Sequence, residues 1–275
     1  MICFVILIAV IVIAKACSGG EKVTIQPKTV NFTTPSGKMW NLFIDMLKQP
    51  HLLIAGCSGS GKSVAINGLI STLMYRFPFD QANGAQLVLI DPKRVELSAY
   101  YKLPHTIAYA SGFNPSAWLA ALNKTVKIMD DRYTYMERNR MKKYNKGDLY
   151  VIIDEWANVY KNGGKDAYKA VLRLTSEGRA ARVHLIMATQ VPKATIIPTE
   201  IRENFDARLC LRTANSVQSR VIMDSKGCED LPRYGMGYYI KPQEDKLYNI
   251  PYVQQEELDS LVEWWDEQKK RNHIR

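Results

Sequence analysis

The chain has 275 residues, of which 47% are hydrophobic and 23% are charged. This ordinary globular composition excludes collagen, a low-complexity tail and a disulfide-stapled miniprotein. Lys and Arg number 37 against 27 Asp and Glu, which gives a formal net charge of +10. Such an excess favours a polyanionic partner, either a nucleic acid or an anionic membrane face, without choosing between them.

The first twenty residues form a separate hydrophobic segment. Residues 2–14 are an unbroken apolar run of roughly 20 Å if helical, and extension to Gly20 gives a marginal membrane span. The lysines follow the run, so the positive-inside rule predicts an anchor in residues 1–20 with the rest on the cytoplasmic face of the membrane. A signal peptide, a lipoprotein signal at Cys17 and a buried strand are the alternatives. Without an anchor, we expect a soluble cytoplasmic protein.

The next part of the chain predicts a linker and then an α/β domain. Residues 21–45 are predicted to be a linker with a short β-hairpin, which is indicated by the alternation of apolar and polar positions in Glu21–Lys38 around Pro27 and Pro35. Short apolar runs then alternate with amphipathic stretches. The predicted strands are His51–Ala55, Gln86–Ile90, Leu149–Ile153, His184–Ala188, Ala207–Leu211 and Met236–Lys241. The predicted helices are Lys62–Tyr75, Pro115–Met141, Asp166–Arg182, Val217–Asp224 and a last one from Gln255.

This order of elements predicts the fold class. Continuous apolar strands separated by helices are typical of a mostly parallel sheet that helices cover on both faces. We therefore expect an α/β domain over residues 46–250, followed by a C-terminal helix in residues 251–275.

A glycine-rich loop between the first predicted strand and helix predicts a phosphate site. It matches GxxxxGK[ST] in the strand–loop–helix context that the pattern requires. Its backbone N–H groups are expected to cradle phosphate oxygens of ATP, with Lys62 on the β- and γ-phosphates and the Ser63 hydroxyl on Mg²⁺. The loop residues are Gly56, Cys57, Ser58, Gly59, Ser60, Gly61, Lys62 and Ser63.

Two carboxylates end the strand at Leu149–Ile153, where a phosphate-binding loop needs a distal acid. Asp154 is predicted to hold the Mg²⁺ shell, and Glu155 is predicted to orient and deprotonate the attacking water. An acid pair of this kind favours a hydrolase over a kinase or a GTPase. Gln190 ends the next strand, and we expect it to sense the γ-phosphate; a turn role is the alternative.

Several further segments, taken with these, resemble the FtsK/SpoIIIE DNA translocases from about Met46 to Lys241. The resemblance implies a RecA-like P-loop motor that hydrolyses ATP, assembles as a homo-hexamer and pumps double-stranded DNA through its pore. The segments are Pro50–Gly56, Leu89–Ser98, Asp154–Glu155, Gly178–Ala181, His184–Gln190 and Ser219–Asp224.

The chain also departs from the family pattern. The family usually has Gly at the position of Arg182, and Phe or Leu is commoner at the position of Trp156. The multi-span membrane domain, long linker and winged-helix module of chromosome-segregating members are not seen. A compact form with one anchor is similar to the versions carried by conjugative elements, plasmids or phages.

The resemblance places a pore loop directly after the acid strand. Lys161, Lys165 and Lys169 are the predicted DNA contacts. Lys165 and Lys169 are four positions apart, so both lie on one helical face and can grip phosphates without reading bases. The basic stretch Arg138–Lys146 is an alternative pore loop. For both segments, a solvated surface is the other interpretation.

A ring motor also implies an arginine finger from the adjacent subunit. Arg179 is the predicted finger, and Arg208 and Arg212 on the following strand are alternatives. A surface ion pair is the structural alternative for each of them.

Two other functions remain open. A coupling protein would use the same core to deliver a relaxase–DNA complex to a secretion channel. A non-motor, nucleotide-regulated DNA-binding protein is less consistent with the Asp154–Glu155 pair, because a scaffold needs no catalytic base.

Overall fold

The computed structural model describes residues 38–76, 84–242 and 244–271. The predicted anchor in residues 1–20 and, apart from Lys38, the predicted hairpin lie outside these ranges. None of the helices within them combines the length and apolarity needed to cross a membrane.

An eight-stranded sheet forms the centre of the domain, with strand order β3-β2-β4-β5-β1-β6-β7-β8. The strands from β3 to β6 in this order are parallel, and β7 and β8 add antiparallel pairs at one end. The strands are β1 His51–Ala55, β2 Gln86–Asp91, β3 Thr106–Ser111, β4 Leu149–Ile153, β5 Val183–Thr189, β6 Ala207–Cys210, β7 Met236–Lys241 and β8 Glu244–Asn249. The predicted α/β fold with a mostly parallel sheet is confirmed.

Helices connect the parallel strands and pack in two groups. In one group α1 packs on α2 and α2 on α7; in the other α3 packs on α4 and α4 on α5. The helices are α1 Lys38–Lys48, α2 Lys62–Arg76, α3 Pro115–Arg138, α4 Trp156–Glu177, α5 Thr199–Arg202, α6 Ser216–Met223 and α7 Gln255–Arg271. Single 3-10 turns lie at Ser98–Tyr100 and Cys228–Asp230.

The core forms because every residue of the central strands β1 and β4 is buried. Alternate side chains of a strand point to opposite faces, so one set packs against α3 and α4. Trp156, which departs from the family pattern, is fully buried there, and its indole N–H donates to the Ile196 carbonyl at 2.8 Å. The larger ring therefore fills the core without leaving its polar atom unpaired.

Helix α1 begins inside the region that the sequence predicted to be linker. Its Phe43 ring packs so closely on α2 that a Cβ at Gly68 would overlap it. The Tyr150 hydroxyl donates to the Leu47 carbonyl at 3.2 Å, and Lys241 pairs with Asp45 at 2.8 Å. Residues 38–45 therefore belong to the packed domain, because an amphipathic helix gains its stability from tertiary packing.

Helix α4 begins earlier than predicted. Sequence reasoning treated Gly163 and Gly164 as part of a loop and began the helix at Asp166, whereas the structure is helical from Trp156. Gly164 alone leaves helical geometry, with φ 64° and ψ −158°, and introduces a kink. The segment predicted as a pore loop is therefore the kinked first part of α4.

Arg182 occupies a turn where the family usually has Gly, and its φ of 54° lies in the left-handed region that favours glycine. Its guanidinium donates to both oxygens of Asp148, and the His184 ring contacts the same carboxylate at 2.9 Å. Burial raises the pKa of the Asp148 carboxyl, but the hydrogen bonds from His184 and Arg182 outweigh it and bring the pKa to about 2. The bidentate ion pair with Asp148 thus offsets the energetic cost of the left-handed backbone conformation at Arg182.

Candidate nucleotide-binding site

The glycine-rich loop lies at the carboxyl edge of the sheet, where the parallel strands end. The N–H of Gly56 donates to the Thr189 carbonyl at 3.3 Å, and that of Cys57 donates to the Arg212 carbonyl at 2.8 Å. The loop is therefore attached to the ends of both strands that flank β1. Gly59 and Gly61 have φ of 74° and 100°, a conformation that costs little only for glycine.

The interior of the loop holds polar groups that suit an anion. The Lys62 ammonium donates to the carbonyls of Gly56 at 2.9 Å and Cys57 at 3.3 Å. Burial lowers the pKa of Lys62, while the nearby Glu155 and Asp154 carboxylates act in the opposite direction. The buried Ser60 hydroxyl has no hydrogen-bond partner among the described residues. Bound phosphate oxygens would satisfy these donors at the N-terminus of α2.

Glu155 lies at the end of β4, where it is the N-cap residue of α4 and only 3% exposed. One carboxylate oxygen accepts from the Thr189 hydroxyl and the Gln190 N–H, each at 3.0 Å. The other accepts from the Lys93 ammonium at 3.2 Å. A carboxylate has about four acceptor positions, so the three donors orient Glu155 and leave capacity for one further donor, such as water.

Lys93 reaches Glu155 because Asp91 folds the segment after β2. The buried Asp91 carboxylate accepts from the backbone N–H of Lys93 at 3.2 Å and of Leu97 at 3.0 Å. This turn directs the Lys93 side chain back across the sheet toward the end of β4. In the segment Leu89–Ser98, Asp91 therefore shapes the turn and Lys93 contacts the Glu155 carboxylate.

Asp154 is 5% exposed at the end of β4. Burial raises the pKa of its carboxyl to about 7, and the neighbouring Glu96, Asp91 and Glu155 carboxylates add to this effect. This concentration of buried negative charge fits a divalent cation. Asp154 and the Ser63 hydroxyl are hard oxygen ligands, which Mg²⁺ prefers together with phosphate oxygens and water. Within the described ranges, no three His, Cys, Asp or Glu side chains form a metal cluster by themselves.

Gln190 contacts Glu155 through its main chain. Its side chain, predicted to sense the γ-phosphate, has no hydrogen bond to any residue that the structure describes, while its N–H holds Glu155. Thr189 and Lys93 are contacts that sequence reasoning missed. No local pattern signals them, because Lys93 lies 62 positions and Thr189 34 positions from Glu155.

The three arginine candidates differ in their surroundings. The Arg208 guanidinium donates to the Ile222 carbonyl and the Asp224 carboxylate, each at 3.0 Å, so it serves the end of α6. Arg212 is exposed beside the phosphate loop of its own chain. Arg179 is exposed at the opposite, amino edge of the sheet, directly before β5. Arg179 therefore lies at the opposite end of β5 from the phosphate loop of its own chain.

The predicted DNA contacts are exposed on α4. Lys161, Lys165 and Lys169 are all at the surface, and Lys169 lines a groove between α3 and α4. The alternative stretch Arg138–Lys146 lies at the amino edge, where the Tyr144 N–H donates to the Ala180 carbonyl at 2.9 Å. The structure thus separates the two basic segments: Lys161 follows the end of β4, and Arg138–Lys146 precedes its beginning.

Comparison with solved structures shows the fold. A structure of the pCW3 conjugation coupling protein TcpA, in monomer form with ATPgS, superposes with a TM-score of 0.67 at 21% identity, covering 80% of this chain and 66% of that one. A structure of EssC (ATPases 2 and 3) from Geobacillus thermodenitrificans gives a TM-score of 0.70 at 15% identity, covering 83% of this chain and 46% of that one. The predicted P-loop ATPase fold is therefore confirmed.

Comparison with curated proteins finds relatives of higher identity. The DNA translocase FtsK of Helicobacter pylori (strain J99 / ATCC 700824) is 34% identical over 268 residues, which cover 91% of this chain and 31% of that protein. The DNA translocase FtsK of Chlorobaculum tepidum is 35% identical over 244 residues, which cover 82% of this chain and 30% of that protein. The chain thus spans about a third of the length of these relatives. The model of the FtsK/SpoIIIE family matches residues 26–224, and this chain belongs to that family.

Proposed function

We propose that this chain is the motor part of an ATP-dependent double-stranded DNA translocase. The observation that carries the proposal is the buried Glu155 carboxylate, which three donors orient at the strand end beside the phosphate loop. A protein that only binds nucleotide has no need for a carboxylate held in this way. The similarity to proteins named DNA translocase FtsK supports DNA as the polymer that is moved.

In the proposed hydrolysis, the triphosphate lies on the backbone N–H groups of the loop. Lys62 leaves the carbonyls of Gly56 and Cys57 and neutralises charge on the transferring phosphoryl group. Glu155 accepts the proton of the attacking water at its remaining acceptor position, while Lys93 and Thr189 keep the carboxylate in place. Mg²⁺, held by Ser63 and Asp154, would neutralise charge on the phosphate oxygens.

We also propose a ring of identical subunits, most simply a homo-hexamer. The position of Arg179 supports this, since it is exposed and lies at the edge of the sheet opposite to its own loop. DNA would contact Lys161, Lys165 and Lys169, which are exposed on the helix that begins at the catalytic carboxylate. Movement of α4 would then couple the nucleotide state to the grip on phosphates, and the Gly164 kink separates Lys161 from the other two lysines.

The cellular setting of the motor is also a proposal. An anchor in residues 1–20 would hold the motor at the cytoplasmic face of a bacterial membrane. Its role would be DNA transfer for a conjugative element, plasmid or phage. The alternative is a coupling protein that delivers a relaxase–DNA complex to a secretion channel. The TcpA coupling protein shares the fold at 21% identity, which is compatible with either role.

The test is ATP turnover by the full chain with and without linear double-stranded DNA, together with displacement of a triplex-forming strand from that DNA. We expect DNA to stimulate turnover and ATP to drive displacement, with Glu155→Gln as the inactive control. An ATP turnover rate that is the same with and without DNA, together with no strand displacement, would instead indicate a nucleotide-regulated protein that is not a motor.

A further inference from the structure

The Arg233 guanidinium lies against Gly59 of the phosphate loop, and we call this position the crest of the loop. A Cβ placed on Gly59 would be 3.5 Å from Arg233 Nε and 3.6 Å from Nη2, which is van der Waals contact. The positive φ of Gly59, and not a lack of space, therefore favours glycine at this position. Because glycine has no side chain, the Arg233 guanidinium can approach the loop backbone. No role was assigned to Arg233 from the sequence.

The loop that carries Arg233 is fixed to the same end of the sheet. It runs from the buried Leu231 to Gly235, whose φ is 88° and whose carbonyl accepts from the Ile250 N–H at 2.8 Å. Strand β7 follows directly and pairs with β6, and the carbonyl of Arg212 after β6 holds the start of the phosphate loop. Short hydrogen-bonded connections therefore set the position of Arg233 relative to its own nucleotide site.

The charge of Arg233 has no partner among the described residues. Its side chain is exposed, and it forms no ion pair or hydrogen bond within the ranges that the structure describes. By contrast, Arg182 binds Asp148 and Arg208 binds Asp224. A guanidinium offers five N–H donors in a planar fork that matches phosphate oxygens, so a free one beside a phosphate loop suits a triphosphate.

We infer that Arg233 binds the triphosphate in the nucleotide site of its own chain. It contacts phosphate oxygens from the crest of the loop, while Lys62 contacts them from within. An arginine supplied by the same chain stabilises charge that develops during phosphoryl transfer, as one supplied by a neighbour does. This inference rests on nucleotide binding in the proposed function, and it does not depend on DNA translocation.

The first experiment measures binding of ATPγS with Mg²⁺ to the full chain by isothermal titration calorimetry. We compare Arg233→Ala and Arg233→Lys with Tyr234→Ala, a matched control that removes the exposed neighbouring side chain of the same loop. Hydrogen bonds to a charged group justify a loss of about tenfold or more for Arg233→Ala. Arg233→Lys should recover part of the affinity, and Tyr234→Ala should match the parent. Equal affinity and turnover in the parent and Arg233→Ala would overturn the inference.

The second experiment separates action within one chain from action on a neighbour. Subunits with Arg233→Ala are mixed with Lys62→Ala subunits, and ATP turnover is measured. If Arg233 serves its own chain, every mixed site lacks one of the two cations and turnover does not recover. Recovery would assign Arg233 to the neighbouring site and overturn the inference. A parent that binds ATPγS but never responds to DNA would contradict the proposed function, while the Arg233 result would still stand.

Discussion

Lys93 and Glu155 form an ion pair of 3.2 Å between the ends of two neighbouring strands. The Glu155 side chain is 4% exposed and the Lys93 side chain 36%, so a partly exposed lysine pairs with a buried carboxylate. Glu155 is the proposed catalytic base. Lys93 comes from the segment after β2, where Asp91 shapes the turn. The pair therefore links the two segments that most distinguish this chain from a generic phosphate-loop protein.

Replacing Lys93 should impair hydrolysis. Lys93→Met leaves a buried carboxylate without its ion-pair partner and removes one of the three donors that orient it. We expect turnover to fall by about 10- to 100-fold. Lys127→Met, which removes an exposed lysine of α3, is the matched control. A parental rate in Lys93→Met would exclude a role for the ion pair in hydrolysis.

Two site variants should fail in different ways. Lys62→Ala removes the cation nearest the phosphates, so both ATP binding and hydrolysis should be lost. Glu155→Gln removes the base but keeps the shape of the side chain, so it should retain ATP and hydrolyse it at least about 100-fold more slowly. Separate measurements of binding and turnover distinguish the two. Hydrolysis at the parental rate in Glu155→Gln would show that another group is the base.

Arg179 should act on the neighbouring subunit. Mixing Arg179→Ala subunits with Lys62→Ala subunits should restore part of the turnover, because some mixed sites contain an intact loop and an intact finger. Arg173→Ala is a suitable control, since Arg173 lies near the end of α4, the helix that precedes Arg179, but is paired with Asp130 and Glu177. Full turnover by a DNA-bound monomer would remove any need for a finger.

The lysines of α4 should contribute to DNA affinity without sequence preference. Replacing both Lys165 and Lys169 with Ala should flatten the slope of log affinity against log salt by about 0.9 for each lost phosphate contact. Affinity should fall equally for unrelated DNA sequences, and stimulation of ATPase by DNA should drop. The comparison variant replaces Lys142 and Lys143, which are exposed at the amino edge. An effect confined to this second variant would move DNA contact to the Arg138–Lys146 stretch.

Acid should destabilise the domain through a buried histidine. Burial, reinforced by the nearby His184, lowers the pKa of His51 to about 3, so only the unfolded chain binds the proton between this value and 6.5. The contribution of neutral His51 to stability is therefore fully present above pH 6.5 and falls by about 1.4 kcal/mol for each pH unit below it, whereas the raised pKa of Asp154 acts in the opposite direction, so the comparison with a His51 variant isolates this contribution. His51→Asn keeps an acceptor for the Leu185 N–H and should reduce that slope. Urea unfolding from pH 4 to 7 measures it; an unchanged slope would contradict the assignment.

The sequence by itself determined the parts of this protein whose signals are local. The bounds of β1, β4 and β7 follow from short apolar runs, and the loop from Gly56 to Ser63 follows from a pattern that couples glycine conformation to phosphate binding. Asp154 and Glu155 could also be predicted locally, because two acidic residues directly after an apolar run are recognisable in the sequence without knowledge of their contacts.

Only the tertiary structure decided which residues meet at the site. Lys93, Thr189 and Arg233 arrive from separate strand ends, and no periodicity connects them to Glu155 or Gly59. Strand β8 was missed because its exposed, charged residues carry no apolar pattern, and its pairing with β7 defines it. The family resemblance predicted a loop at Gly163 and Gly164, but the segment is helical, because packing of α4 on α3 and the sheet outweighs the cost of two glycines. Strand order places distant residues at one edge, and strand order is a property of the folded chain.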